Sequence, residues 1–323
     1  MENLSHTGMK RPGGKQWRLA LLALAALAFW PISQMTAASL PAQIEQERSE
    51  LLNHQWDPAK LYAMLTAQDP AASENLYRAA FAAGPAIIPK LESALKDDRT
   101  AEFAAQMLAY FANERSLAIL EKLLKDPRDL DLRRFYYGAL GGSGNPHRTE
   151  ILLNKVLASD HEPDRDVTQN AILALSISSD AALVPRLRQA QMQVTDPVIQ
   201  DDIETAAMVV ELRAKFMATA AGKSAGGSVE QTIRSYFMPA LEAPPAAKDE
   251  GQQNAGVEIN VKDLTYSPDK TRVLAGVDFE NPEAVASYHM VLQKNEAGWK
   301  VASVWLGEER EKPQPPANPA PHK

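Results

Sequence analysis

The chain has 323 residues, enough for two modest domains, with 45% hydrophobic and 23% charged side chains, the balance of a folded protein and not of a disordered one. A formal charge of -7, with Lys and Arg dispersed among acids, excludes the clustered cations that nucleic-acid binding requires. The absence of cysteine excludes disulfides, thiolate metal sites, cysteine nucleophiles and a lipid on an N-terminal Cys.

Residues 1–18 carry Lys10, Arg11, Lys15 and Arg18 against the single acid Glu2, and an apolar run follows from Leu19 to Trp30. Small residues come next at Ala37, Ala38 and Ala42. A positive segment, a short apolar run and small residues form the layout of a secretory signal. Extended to Met35, the same run serves as an uncleaved anchor with its basic end in the cytoplasm. Residues 1–42 are therefore read as a signal peptide or an inner-membrane anchor. Both place the remainder in the periplasm or otherwise outside the cytoplasm of a bacterium.

From Gln43 to Ala221 apolar residues recur at helical spacing: Ala104, Leu108 and Phe111; Leu117, Leu120 and Leu124; Val167, Ala171 and Leu175; Ile199, Ile203, Ala206 and Val210. Each helix is expected to show one apolar stripe and one polar face. The helix ends at Leu108, Leu140 and Leu175 recur at steps of 32 and 35 residues. Asp126-Pro127, Glu162-Pro163 and Asp196-Pro197 keep the same period, and Asn145-Pro146 repeats the device. An acid or Asn before Pro suits a helix start, because the side chain caps free N–H groups and Pro loses nothing at the first helical position. Paired helices at this period make an α-solenoid, and residues 57–221, most specifically Ser116–Asp160, resemble the HEAT-repeat family. The stretch Tyr62–Leu95 departs from the period, as terminal capping helices do. The resemblance implies protein binding through a repeat surface, with no catalytic residues to carry over.

Gly222–Ser228 is small and polar and reads as a linker. A helix over Val229–Leu241 follows, then apolar alternation at Val257, Ile259, Val261; at Val273, Ala275, Val277; at Ala286, Tyr288, Met290, Leu292; and at Trp299, Val301, Ser303, Trp305. Turns are expected at Ser267–Lys270 and Asn295–Gly298. Residues 229–307 thus form a small α+β domain with an antiparallel sheet. Its opening helix and its closing Gly298-Trp299-Lys300-Val301 strand resemble the nuclear transport factor 2-like (cystatin-like) superfamily. Residues 308–323, with prolines at 313, 315, 316, 319 and 321, read as an extended disordered tail.

The search for chemistry is largely negative. Gly222-Lys223-Ser224 lacks the earlier Gly and the strand of a phosphate loop. Gly141-Gly142-Ser143-Gly144 lacks the spacing of a nucleophile elbow and reads as a helix-ending turn. Asp160, His161, Glu162, Asp164 and Asp166 are read as a capping loop, with a hard-cation site as the alternative. His289 is read as a hydrogen-bonded strand histidine; its alternative is an acid–base pair with Asp278 or Glu280 in a cavity. Trp299 and Trp305, six residues apart on one strand, are expected to share a face, and Phe135-Tyr136-Tyr137 to lie in the repeat core. The expected function is a non-catalytic scaffold binding a protein partner, with no cofactor, metal or catalytic residue and no nucleic acid. The loops Asn145–Glu150 and Asp160–Asp166 are candidate contact surfaces. The alternatives are ligand binding or catalysis in the C-terminal domain, or a tethered assembly factor.

Overall fold

The architecture was obtained as a computed structural model, which describes residues 40–67, 69–125, 130–242, 257–281 and 284–312. Residues 1–39, Asp126-Pro127 and the proline-rich residues 313–323 lie outside the described residues. The helices are α1 (Ala42–Asn53), α2 (Pro58–Leu65), α3 (Pro70–Ala83), α4 (Ile88–Ala94), α5 (Ala101–Phe111), α6 (Glu114–Leu123), α7 (Arg133–Ala139), α8 (Pro146–Leu157), α9 (Arg165–Ser176), α10 (Leu183–Gln193), α11 (Pro197–Ala218), α12 (Ala220–Ser224) and α13 (Val229–Glu242). The strands are β1 (Glu258–Tyr266), β2 (Arg272–Glu280), β3 (Ala284–Asn295) and β4 (Gly298–Glu311). None of the described helices is long and apolar enough to cross a membrane.

Local chemistry explains the helix starts. Asn145 accepts from the His147 N–H at 3.0 Å and Asp196 from Val198 at 2.8 Å, each with Pro at the first helical position. Asp57-Pro58 and Asp69-Pro70 use the same device for α2 and α3. Glu162-Pro163 does not. There Asp164 caps α9, because the Glu162 carboxylate is drawn inward to Arg133 at 2.7 Å and to Lys155. At the other end of α1, the ammonium of Lys90 donates to the carbonyls of Leu51, Leu52 and His54, which the helix leaves without partners.

The helices stack in two rows. Helices α3, α5, α7, α9 and α11 form one, and α4, α6, α8 and α10 form the other. The strands make an antiparallel meander in the order β1-β2-β3-β4. One sheet face, with Val273, Val277, Phe279, Tyr288 and Met290, packs on Ile233, Tyr236 and Phe237 of α13. The opposite face, with Leu274, Val291 and Trp305, joins the core of the helical array. The sheet therefore lies between α13 and the first helical row, and the two units share a seam.

Two boundaries shift, and one helix lacks its expected polar face. Gly222–Ser228, expected as a linker, forms the end of α12 and a following tight turn. Thr219 caps α12 through the Gly222 N–H at 3.1 Å, and Gly226 packs against the β4 backbone. Residues 308–311, expected in the tail, belong to β4, and Glu309, Arg310 and Glu311 pair with Ala286, Val285 and Ala284. Helix α5 has no broad polar face: nine of its eleven residues are buried, because α4 and α6 cover one side and the sheet the other.

Glycine sets how closely the seam closes. A Cβ on Gly138 of α7 would stand 2.3 Å from the tip of the Trp305 indole, and one on Gly142 would stand 2.3 Å from the Ala302 Cα. In an exposed helix, Gly→Ala stabilises by roughly 0.5–1 kcal/mol. Gly138→Ala is expected to reverse that sign and destabilise by about 1–3 kcal/mol through overpacking, read as a lowered denaturant midpoint. A raised midpoint would show that Trp305 does not sit against α7.

Candidate functional site

The seam is the place where ionisable side chains from both units converge. His289 on β3 faces the helical array. Its Nδ1 lies 2.7 Å from the Tyr110 hydroxyl on α5, and its Nε2 lies 3.1 Å from Glu74 Oε2 on α3. The Gln106 amide donates to the same hydroxyl at 2.7 Å. A single direction of donation satisfies the chain: Gln106 N–H to Tyr110 oxygen, Tyr110 O–H to Nδ1, and Nε2–H to Glu74. Burial pushes the Tyr110 hydroxyl well above its ordinary range, keeping it a donor. Burial also raises the Glu74 carboxyl, but the hydrogen bond from His289 and the charges of Arg78 and Lys262 outweigh it and hold the group below its ordinary value.

Asp278 and Glu280, the partners considered for His289, are engaged elsewhere. Asp278 accepts from Ser287 at 2.8 Å and pairs with Lys262. Glu280 accepts from Asn260 at 3.1 Å and pairs with Lys312 at 3.0 Å. The acid that reaches His289 comes from a helix 215 residues away, a separation at which local spacing carries no signal.

Two arginines complete the seam. Arg78 of α3 donates to Thr265 Oγ1 at 3.1 Å and meets Asp263 at 3.0 Å. Arg272 of β2 donates to the Tyr110 carbonyl at 3.0 Å, in the last turn of α5, where a cation complements the helix dipole. Burial pulls the Arg272 guanidinium down to about 10, so it stays charged near neutrality.

Trp299 and Trp305 do not share a face. The β3–β4 register slips where Leu292 pairs Val301 and Val291 pairs Ser303, leaving Ala302 as an extra residue. Such a bulge reverses the alternation beyond it. Trp299 lies on the α13 side, 6.3 Å from the Tyr266 ring, whereas Trp305 enters the seam, 5.7 Å from Phe135 and 6.0 Å from Tyr110. Phe135 and Tyr136 are buried, as expected, and Phe135 also forms part of the seam.

A cleft of about 370 Å³ opens beside the seam, where the Gly141–Gly144 turn, the end of α9, helix α11, helix α13 and β4 meet. Arg213, Ser178, Thr149, Tyr236, Lys300 and Val301 are among its lining residues, and His289 is not. Arg213 is 6% exposed; it donates to the carbonyls of Ser176 and Tyr236, and its guanidinium carbon stands 4.3 Å from the Tyr236 ring centre. This site had no sequence motif, because its parts come from five separated segments.

The acidic loop resolves into separate roles. Asp160 accepts from the Thr195 N–H at 3.1 Å, Asp164 caps α9, and Glu162 pairs with Arg133 and Lys155. Among the described residues no group of three or more His, Asp or Glu side chains is arranged to hold a metal ion. Gly222-Lys223-Ser224 falls within α12.

Residues 85–176, from the turn before α4 to the end of α9, match the family of HEAT repeats. The comparison with curated proteins gave no match.

The Glu74–His289 contact carries a pH signature. A carboxyl held below its ordinary value contributes stability above pH 4.5, and this is lost as pH falls through the folded value. Glu74→Gln is therefore expected to flatten the fall of stability on the acid side of about pH 4.5 in chemical denaturation. Parallel stability–pH curves for the two proteins would show that the contact does not form.

Proposed function

We propose that the chain is a protein-interaction scaffold of the bacterial cell envelope, acting by binding and without covalent chemistry. The observation that carries this reading is the match of residues 85–176 to HEAT repeats, whose stacked helices present an extended surface to protein partners. The first helical row is covered by the chain's own sheet, so the surface left to a partner is the second row, α4, α6, α8 and α10, with its connecting loops. On that row Leu157 (42% exposed) and Met192 (79% exposed) stand near the ends of α8 and α10, equivalent positions in successive repeats. Ion pairs join neighbouring helices of the same row, Glu114 to Arg148 at 2.6 Å and Glu150 to Arg186 at 2.7 Å. Exposed pairs of this kind stabilise a fold by only about 0–1 kcal/mol, so a partner can exchange them at little cost. Asn145–Glu150, expected as a loop, is the cap and first turn of α8, at the end of that helix away from Leu157, whereas Asp160–Asp166 follows α8 and meets Thr195 just after α10.

In this reading the C-terminal unit, with its resemblance to the nuclear transport factor 2-like superfamily, braces the array. The space between α13 and the sheet is filled by Ile233, Phe237, Phe279, Tyr288 and Met290, which favours bracing over ligand binding within that unit. The basic residues 10–18 and the apolar run from Leu19 to Trp30 support export, with tethering at the inner membrane where the run is retained.

Crosslinking and affinity capture of the full chain from its native envelope tests the scaffold. One or two reproducible protein partners are expected. Leu157→Glu combined with Met192→Glu is expected to lower their recovery about tenfold, with an unchanged melting temperature. Recovery that the double substitution leaves intact would move the contact off this row. Cell fractionation tests the address: the chain is expected in the periplasmic or inner-membrane fraction, and recovery in the cytoplasm alone would overturn it.

A further inference from the structure

The cleft beside the seam holds a cation whose charge the fold leaves unanswered. Arg213 is 6% exposed and its hydrogen bonds go to two neutral carbonyls, while its Nε has no partner. Among the described residues no carboxylate pairs with it, and none figures in the balance by which burial lowers its proton affinity. Burying an ion in this way is unfavourable unless an opposite charge offsets it. The second cation lining the cleft, Lys300 on β4, is half-buried and likewise forms no ion pair among the described residues. The single acid on the wall, Asp180, already accepts from the Ala182 N–H at 2.9 Å as α10 begins.

The remaining walls suit a chain segment. Leu152, Ile177, Leu183, Met217 and Val301 supply apolar surface, and about 370 Å³ falls within the usual range of ligand clefts. Residues 299–301 of β4 form one wall; their outer edge is covered, because Gly226 packs on the Trp299 backbone, Thr232 Oγ1 lies 3.5 Å from the Trp299 carbonyl and Gly142 packs on Val301 and Ala302, so an occupant is held by the cleft's side chains.

We propose that this cleft binds a short segment of a partner protein through a carboxylate, carried by an Asp or Glu side chain or by the chain end, placed against Arg213 and Lys300. The site is distinct from the Leu157–Met192 patch, so each stands or falls alone.

The test is selection of the full chain against a library of random decapeptides, prepared once with free and once with amidated C-termini. Retained sequences are expected to be enriched in Asp or Glu in both preparations, or to need the free C-terminus; the comparison tells which carboxylate is used. Lys300→Glu, a change at a half-exposed position, is expected to weaken the retained peptides about tenfold by reversing a contact charge. Arg213→Gln is the stronger test where it folds, and Lys300→Glu keeps the question open to refutation where it does not. Leu157→Glu with Met192→Glu is expected to leave peptide binding unchanged. A retained pool without acid enrichment, no retained peptides, or binding indifferent to Lys300→Glu would overturn the proposal.

Discussion

A four-stranded sheet with apolar side chains on both faces must be covered twice, and this chain supplies the sheet with only one helix of its own. Helix α13 covers Val273, Val277, Phe279 and Tyr288; Leu274, Val291 and Trp305 turn away from it. Leaving the second set in water would forgo about 25 cal/mol for each Å² of apolar area. The first row of the helical array provides the cover. Its helices then face apolar neighbours on two sides, which is why α5 is buried almost all round. The backbones approach so closely at Gly138 and Gly142 that no Cβ fits.

Burying this seam also buries polar groups, and these are matched across it. Tyr110 sits between Gln106 and His289, His289 between Tyr110 and Glu74, and Arg272 reaches the last carbonyls of α5. Networks of this kind contribute little net stability when satisfied and cost heavily when broken. Their effect here is registration. A sheet shifted by one residue along the array would leave a histidine, a tyrosine and an arginine unpaired in an apolar contact. Shape complementarity at Trp305 and polar matching at His289, cross-strand neighbours in the sheet, thus select the same docking.

This division of surfaces has a functional consequence. A solenoid ordinarily has two rows of helices to offer a partner, and here one is occupied internally. The second row keeps its exposed ion pairs and the apolar ends of α8 and α10. The edge of the seam leaves a cleft whose cations no carboxylate pairs among the described residues. A helical array built this way is stiffened by the C-terminal unit, and its uncovered surfaces are separated by it.

Much of the architecture was legible along the chain, because it rests on local periodicity. The helical stripes, the Asn145-Pro146 and Asp196-Pro197 starts, the two hairpin turns and the switch from period 3.6 to period 2 each involve residues close in sequence. What stayed illegible has a common physical cause. The role of Glu162 depended on Arg133 and Lys155 across a repeat boundary. The faces of Trp299 and Trp305 turned on one extra residue, Ala302, whose bulge comes from pairing with β3. The nearly all-apolar α5 was a visible sign of cover on two sides, but its second cover lay more than a hundred residues further along. Sequence alone determined the elements and the class of fold, since these follow from contacts within a few turns. Only the tertiary structure decided which helix faces meet the sheet, where His289 finds its acid and where Arg213, among the described residues, is left without one, since those are contacts between distant segments that no local pattern encodes.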